Sequence, residues 1–171
     1  MFRNTLFICV LLILASMASH NAMAADSCQP LQNAAAKLAT MPTHIYATTV
    51  NKGPDNKPTT TEMIYAKGSV YGKVGGNWMR TNLTPQELVT QNQEKQKNGS
   101  CHYIKDELVG GEMATVYSER SQSGEAQAQL WISKSSGLLV REEMDIGSGG
   151  QEHATHMSMR YEYANVQAPR I

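Results

Sequence analysis

Residues 126–163 contain three segments in which apolar and polar side chains alternate: AQAQLWI at 126–132, LLVREEMDI at 138–146 and HMSMRYEY at 156–163. Successive side chains of a β-strand point to opposite faces, so this period of two predicts strands with one apolar and one polar face. The phase of the second segment places on the apolar face Leu138, Val140, Met144 and Ile146. Glycine-containing turns separate the segments. Together they predict an antiparallel sheet that is covered on one side only.

The upstream sequence extends this pattern and adds two helices. Further strands are predicted at residues 43–50, 59–66, 69–74, 78–81, 103–109 and 112–121. A first helix follows Ser27 and carries an apolar stripe of Cys28, Leu31, Ala35 and Leu38. A second helix, at 84–97, begins with a capping box and is nearly polar, so it is expected to be peripheral or movable. The predicted fold class is α+β, with about eight or nine strands in a curved antiparallel sheet, an incomplete β-barrel, covered by two helices.

The amino terminus predicts export. Arg3 precedes an apolar run at residues 6–18, and the small residues Ala22 and Ala24 then precede a cleavage position directly after Ala24. An apolar run of about thirteen residues is too short to span a bilayer comfortably, which favours a cleavable signal peptide at 1–24. The mature chain, 25–171, is then expected to be one periplasmic domain without a membrane span. The alternative is a lipoprotein anchored through Cys28.

Charge and cysteine content agree with that location. The leader carries one of the 15 Lys and Arg residues and none of the 15 Asp and Glu residues, so the mature chain has a formal net charge of −1. Such a balance predicts no nucleic-acid partner. Cys28 and Cys101 are the two cysteines outside the leader, and in an oxidising compartment they are expected to form a disulfide.

The apolar face of the sheet is the candidate site. Met and Tyr side chains adapt to flexible apolar ligands and provide a hydroxyl at the rim. The candidate pocket-lining residues are Tyr46, Met63, Tyr65, Leu130, Met144, Met157, Met159 and Tyr161. The alternative is that these side chains form a filled core. Trp131 interrupts an otherwise polar face and is therefore a candidate exposed contact for a protein partner.

No catalytic centre is predicted. His153 and His156 lie three positions apart, which on a strand places them on opposite faces and disfavours a shared metal. No serine, cysteine or carboxylate pattern near His44 or His102 indicates a triad. The acidic residues Glu142, Glu143 and Asp145 are interpreted as a solvated strand surface. We therefore expect no enzyme, cofactor or metal.

Several carboxy-terminal motifs resemble a known family. Leu130-Trp131-Ile132-Ser133, Ser136-Gly137-Leu138, Arg141-Glu142-Glu143 and the closing run from Tyr161 to Val166 with Pro169 are similar to the C-terminal half of the LolA-like family. That family comprises periplasmic lipoprotein carriers, outer-membrane lipoprotein-sorting proteins and a stress regulator that senses lipoproteins. The resemblance implies an incomplete β-barrel that shelters acyl chains, with a lipid or acylated protein as ligand.

Two departures from the carriers narrow what the resemblance implies. Residues 43–50 contain no Arg, which the carriers use in opening and closing, and the mature chain contains no Phe, whereas the carriers' cavities are rich in aromatic residues. These departures favour a narrower lipid-binding or envelope-sensing role. The alternative is an interaction or sensor module that contacts an envelope protein and holds no ligand.

Overall fold

The computed structural model describes residues 28–51, 56–96, 98–147 and 155–171, without the side chains of Lys95 and Gln96. The predicted leader, Ser27 and His153 lie outside these residues. The described elements, in chain order, are α1 Gln29–Leu38, β1 Thr43–Asn51, β2 Thr59–Ala66, β3 Ser69–Val74, β4 Asn77–Arg80, α2 Pro85–Gln96, β5 Ser100–Val109, β6 Glu112–Arg120, β7 Ala126–Ser133, β8 Leu139–Ile146 and β9 Thr155–Glu162.

The strands form one nine-stranded antiparallel sheet in the order β4-β3-β2-β1-β9-β8-β7-β6-β5. Strand β9 pairs with both β1 and β8, so the carboxy-terminal strand lies in the middle of the sheet. The sheet is curved and unclosed, and two helices accompany it. The predicted fold class, α+β with a curved antiparallel sheet that forms an incomplete barrel and two helices, is confirmed.

Two glycine pairs produce the tight connections of this meander. Gly75 and Gly76 have φ angles of 57° and 86°, and Gly110 and Gly111 have φ angles of 60° and 88°. Two successive residues with positive φ are required by the two-residue hairpin turn whose twist matches that of the strands. Glycine adopts this conformation without a steric penalty, so these pairs set the registers of β3 with β4 and of β5 with β6.

The main core lies on one face of the sheet, here called the inner face. Leu31 and Ala34 of α1 pack there with Ile45, Tyr65 and other buried side chains of the strands. Leu88 of α2 packs against the same cluster, and Val89 is 5% exposed. Both helices therefore contribute apolar side chains to the structure over the sheet.

A disulfide anchors α1 at its start. Cys28 and Cys101 are bonded, with their Cα atoms 5.2 Å apart. Cys101 is the second residue of β5, directly after the loop that follows α2. The predicted pairing is confirmed, and it ties the beginning of α1 to the edge of the sheet beside the end of α2.

An irregularity between β7 and β8 changes the predicted phase. Trp131 pairs with Arg141, but Ile132 pairs with Leu139, so Val140 is an extra residue in the ladder. Such a β-bulge rotates the chain before it relative to the chain after it. As a result Leu139 enters the main core, and Val140 packs against Trp131 on the opposite face. The predicted placement of Val140 on the inner face is wrong for this reason.

No helix among the described residues is long and apolar enough to cross a bilayer.

Candidate functional site

Most of the predicted lining residues meet on the inner face. Tyr65, Leu130 and Tyr161 belong to the main core and are 7–8% exposed. Met63, Met144 and Met159 pack against that core and are only partly buried. Met157 pairs with Met144 and with Thr49, and residues paired in this way share a face. The strands thus bring seven of the eight candidates to one surface.

The four methionines form a distinct part of this surface. Met63, Met144, Met157 and Met159, here called the methionine patch, are all partly exposed, in contrast to the buried tyrosines and Leu130. Small side chains lie beside them on the neighbouring strands, because Ala47 pairs with Met159 and Ala128 pairs with Met144. Flexible thioether chains flanked by small residues make an apolar surface that repacks easily.

Tyr46 lies on the opposite, outer face, so its assignment to the pocket is wrong. Its hydroxyl is 3.1 Å from Nδ1 of His44, and the guanidinium of Arg160 lies 4.4 Å from its ring centroid. Tyr46 alternates with Ile45 and Ala47, which are buried on the inner face. Strand alternation alone requires this separation, since adjacent residues cannot share a face.

Trp131 is buried and does not form an exposed contact. The side chain is 4% exposed and packs with Ala114 and Val116 on the outer face. The guanidinium of Arg141 lies 4.7 Å from its ring centroid, and its indole N–H donates a hydrogen bond to Glu107. The polar neighbours in the sequence indicated exposure, but side chains from β5, β6 and β8 cover the ring.

Two acidic side chains on the inner face were not predicted. Glu142 and Glu119 are each 8% exposed. Glu142 pairs with Leu130 and Met159, and Glu119 pairs with Cys101 and Ala128. Each of these four partners belongs to the main core or packs against it. Both carboxyl groups therefore point into apolar surroundings, and the interpretation of Glu142 as solvated surface is wrong.

A signal for Glu142 was present in the alternation. Glu142 shares its parity with Met144, which the pattern assigned to the apolar face, whereas Glu143 and Asp145 have the opposite parity. Glu119 has the parity of Tyr117, which packs against the main core. Strict use of strand parity would have placed both acids inside, despite the usual preference of carboxylates for water.

Burial strongly changes the protonation of these acids. Desolvation, with a further contribution from Glu142, raises the pKa of Glu119 to about 7. Desolvation also raises the pKa of Glu142, although the hydroxyl of Tyr161, which donates a 2.7 Å hydrogen bond to its carboxyl oxygen, acts against the rise. Burial and the proximity of Glu142 raise the pKa of Tyr161 well above its ordinary value. The inner face thus holds two acids that resist ionisation.

The outer face shows the contrasting arrangement. Glu143 accepts hydrogen bonds from Arg141 at 2.8 Å and from Ser158 at 2.9 Å, and it lies 2.8 Å from His156. Burial acts to raise the pKa of Glu143, but the bonds from Arg141 and Ser158 outweigh it, so the pKa is lowered. Glu142 and Glu143, which are adjacent on β8, therefore have pKa values that are shifted in opposite directions, upward on the inner face and downward on the outer face.

The second part of α1 is held over the turn between β7 and β8. Lys37 donates a 2.5 Å hydrogen bond from Nζ to the carbonyl oxygen of Ser136. A surface depression of about 440 Å³ lies beside this contact and is lined by Pro30, Asn33, Ala36, Lys37, Ile132 and Gly137. This depression adjoins α1, whereas the methionine patch lies further along the same face.

The comparisons with known proteins are consistent in architecture. No family profile matches the sequence, and no curated protein matches it significantly. Among solved structures, LprF from Mycobacterium bovis is 12% identical, with 83% of this chain and 95% of that chain covered and a TM-score of 0.44. MucB, solved in complex with periplasmic MucA, is 13% identical, with 84% of this chain and 60% of that chain covered and a TM-score of 0.49.

A LolA superfamily protein from Nitrosomonas europaea is 8% identical, with 80% of this chain and 91% of that chain covered and a TM-score of 0.34. One of these similar structures thus bears the name of the family that the carboxy-terminal motifs resemble.

Proposed function

We propose that this protein is a periplasmic binding protein for a lipid or acyl chain, which it holds on the methionine patch. The observation that carries the proposal is the partial exposure of four methionines on the face that otherwise forms the core. Apolar side chains at this position would be expected to be covered if the face served packing alone. A hydrocarbon chain laid along them would complete that burial.

The choice of residues supports an acyl chain over a rigid ligand. Methionine has three rotatable bonds and a polarizable sulfur, so a row of methionines adapts to chains of different length and saturation. The neighbouring side chains Ala47, Ala128 and Thr49 are short, so the longer methionine side chains project beyond them. The bound chain would belong either to a free lipid or to the acyl group of a lipoprotein. Both agree with the export to the periplasm that the predicted signal peptide implies.

Native mass spectrometry of the mature protein purified from periplasm, followed by organic extraction, tests this proposal. We expect bound acylated species in the wild-type protein. The substitution Met157→Lys places a charge in the patch and should remove them, whereas Met113→Lys should not, because Met113 is 45% exposed near the start of β6. A clean apo mass and no uptake of added fatty acid or lipopeptide by the wild-type protein would refute the proposal.

A second function is favoured by a separate observation at the sheet edge. Strand β5 ends the sheet, and Tyr103, Ile104 and Leu108 on it are 46%, 42% and 66% exposed. Edge strands that expose apolar side chains are suited to pairing with another chain. If the protein proves to hold no ligand, a sensor or interaction module that contacts an envelope protein through β5 is the alternative.

A further inference from the structure

The starting observation is a buried carboxyl group without a partner. Glu119 is 8% exposed, and within the part of the chain that the structure describes its carboxyl group forms neither a hydrogen bond nor an ion pair. Burying an acid in apolar surroundings without compensation costs free energy, whether it is ionised or neutral. A side chain of this kind in a candidate binding face points to a group supplied from outside.

The carboxyl group of Glu119 is not sealed inside the protein. Among the described residues, every fully buried polar side-chain atom has a hydrogen-bond partner. The oxygens of Glu119 have none, so they must retain slight contact with accessible space. The oxygens are therefore not completely enclosed by protein atoms.

A second buried carboxyl group, that of Glu142, lies on the same face as the first. Glu142 lies on the same inner face two strands away, close enough to Glu119 for their charges to interact. Its hydrogen-bond donor is the neutral hydroxyl of Tyr161 at 2.7 Å, and in the described residues no cation pairs with it. Two acids on one face without a cation make the local potential negative whenever either is ionised.

The acids adjoin the methionine patch directly. Across the sheet the register aligns one row of side chains, in the order Cys101, Glu119, Ala128, Met144 and Met157. The methyl group of Ala128 is all that separates Glu119 from Met144 in this row. Glu142 lies in the next row, between Leu130 and Met159.

We infer that Glu119 and Glu142 form a head-group site for a primary ammonium, so that the ligand of the methionine patch is a long-chain amine amphiphile. An ammonium has three N–H donors and no acceptor, which suits Glu119, whose carboxyl group lacks a donor, and Glu142, whose one donor is the hydroxyl of Tyr161. Its hydrogen bonds to an ionised carboxylate are charge-assisted and stronger than those of a neutral hydroxyl. An anionic head group would instead be repelled. This inference rests on the proposed function, since the alkyl chain occupies the methionine patch.

Calorimetric titration of the mature protein with decylamine, decanol and decanoate, below their aggregation concentrations and at about pH 8, tests the inference. The three probes share one alkyl chain and differ in the head group. We expect decylamine to bind about tenfold more tightly than decanol, and decanoate to bind most weakly. Glu119→Gln should abolish the preference for decylamine over decanol, whereas Glu125→Gln, on an exposed residue of the adjoining turn, should preserve the preference.

The possible results separate the two proposals. Equal affinity of the wild-type protein for decylamine and decanol would overturn the head-group site and leave acyl-chain binding intact. Binding of none of the three probes would overturn both. A preference for decylamine that survives Glu119→Gln would show that the ammonium is recognised elsewhere, which also overturns the head-group site.

Discussion

At the scale of single residues, the environment of a side chain differs most from its sequence context at Trp131 and Glu142. Both stand among polar neighbours, AQAQLW and REEMD, and both are buried. Trp131 is covered by Ala114, Val116 and Arg141 from the strands on each side of it. Trp131 therefore serves packing of the outer face, in a cluster separate from the main core.

Substitution of Trp131 tests that role. Trp131→Ala should lower the free energy of unfolding by about 3 to 5 kcal/mol, because it removes a large buried side chain and leaves a cavity. Trp78→Ala is the matched control, since Trp78 is partly exposed and should lose less. Urea denaturation of the two variants measures the difference. Equal losses of unfolding free energy in the two variants would show that burial of the Trp131 indole does not stabilise the outer face as predicted.

At the scale of elements, the two helices differ in how much of their stability comes from contacts with the rest of the fold. Helix α1 buries Leu31 and Ala34, is disulfide-bonded at its start and is held by Lys37 near its end. Helix α2 has the predicted capping box, in which Glu87 N–H donates to Thr84 Oγ1 at 3.2 Å and Thr84 N–H donates to Glu87 Oε2 at 2.8 Å. It contributes Leu88 and Val89 to packing. Local capping thus accounts for a larger share of the stability of α2.

Removal of the disulfide tests the anchoring of α1. The bond joins residues 73 positions apart in sequence. Replacing both Cys28 and Cys101 by Ser should lower the free energy of unfolding by on the order of 4 kcal/mol, because a long loop in the unfolded chain is released. Thermal unfolding followed by circular dichroism measures this. Wild-type protein in a reducing agent should show a similar loss, and an unchanged melting temperature in both samples would contradict the prediction.

At the scale of the whole molecule, the buried acids make stability depend on pH. The pKa of Glu119 in the folded protein is raised from 4.5 to about 7, chiefly by burial. Its contribution to stability is therefore fully present below its unfolded pKa and is lost as the pH rises through its folded pKa. The raised pKa of Glu142 acts in the same direction.

Comparison of the wild-type protein with Glu119→Gln isolates this effect. Between about pH 5 and pH 8 the wild-type protein should lose on the order of 2 kcal/mol relative to the variant. Chemical denaturation across this range measures the difference, in which titrating groups that do not interact with Glu119, including His156, cancel. Glu125→Gln should run parallel to the wild-type protein. A difference between wild type and Glu119→Gln that does not change with pH would contradict the raised pKa.

Much of this structure follows from local sequence patterns. Alternation of side chains, glycine pairs at the turns and the capping box at Thr84 depend on neighbours within a few residues, so the strands, both helices and their order could be predicted from residues alone. The same alternation predicts that Met144, Met157 and Met159 lie on one face of the sheet. The disulfide could be predicted because Cys28 and Cys101 are the two cysteines outside the predicted leader.

The remaining features depend on which strands become neighbours. The bulge between β7 and β8 places Leu139, and not Val140, in the core. No local sequence pattern marks such a bulge. Glu119 and Glu142 lie near each other because β6 and β8 flank the same strand, β7, and both side chains point to the inner face. Their burial is the sum of contacts from many elements. Burial and electrostatic interaction are set by distances in space, so the head-group site and the buried Trp131 emerge from the tertiary structure, whereas the strands that carry them were already encoded in local alternation.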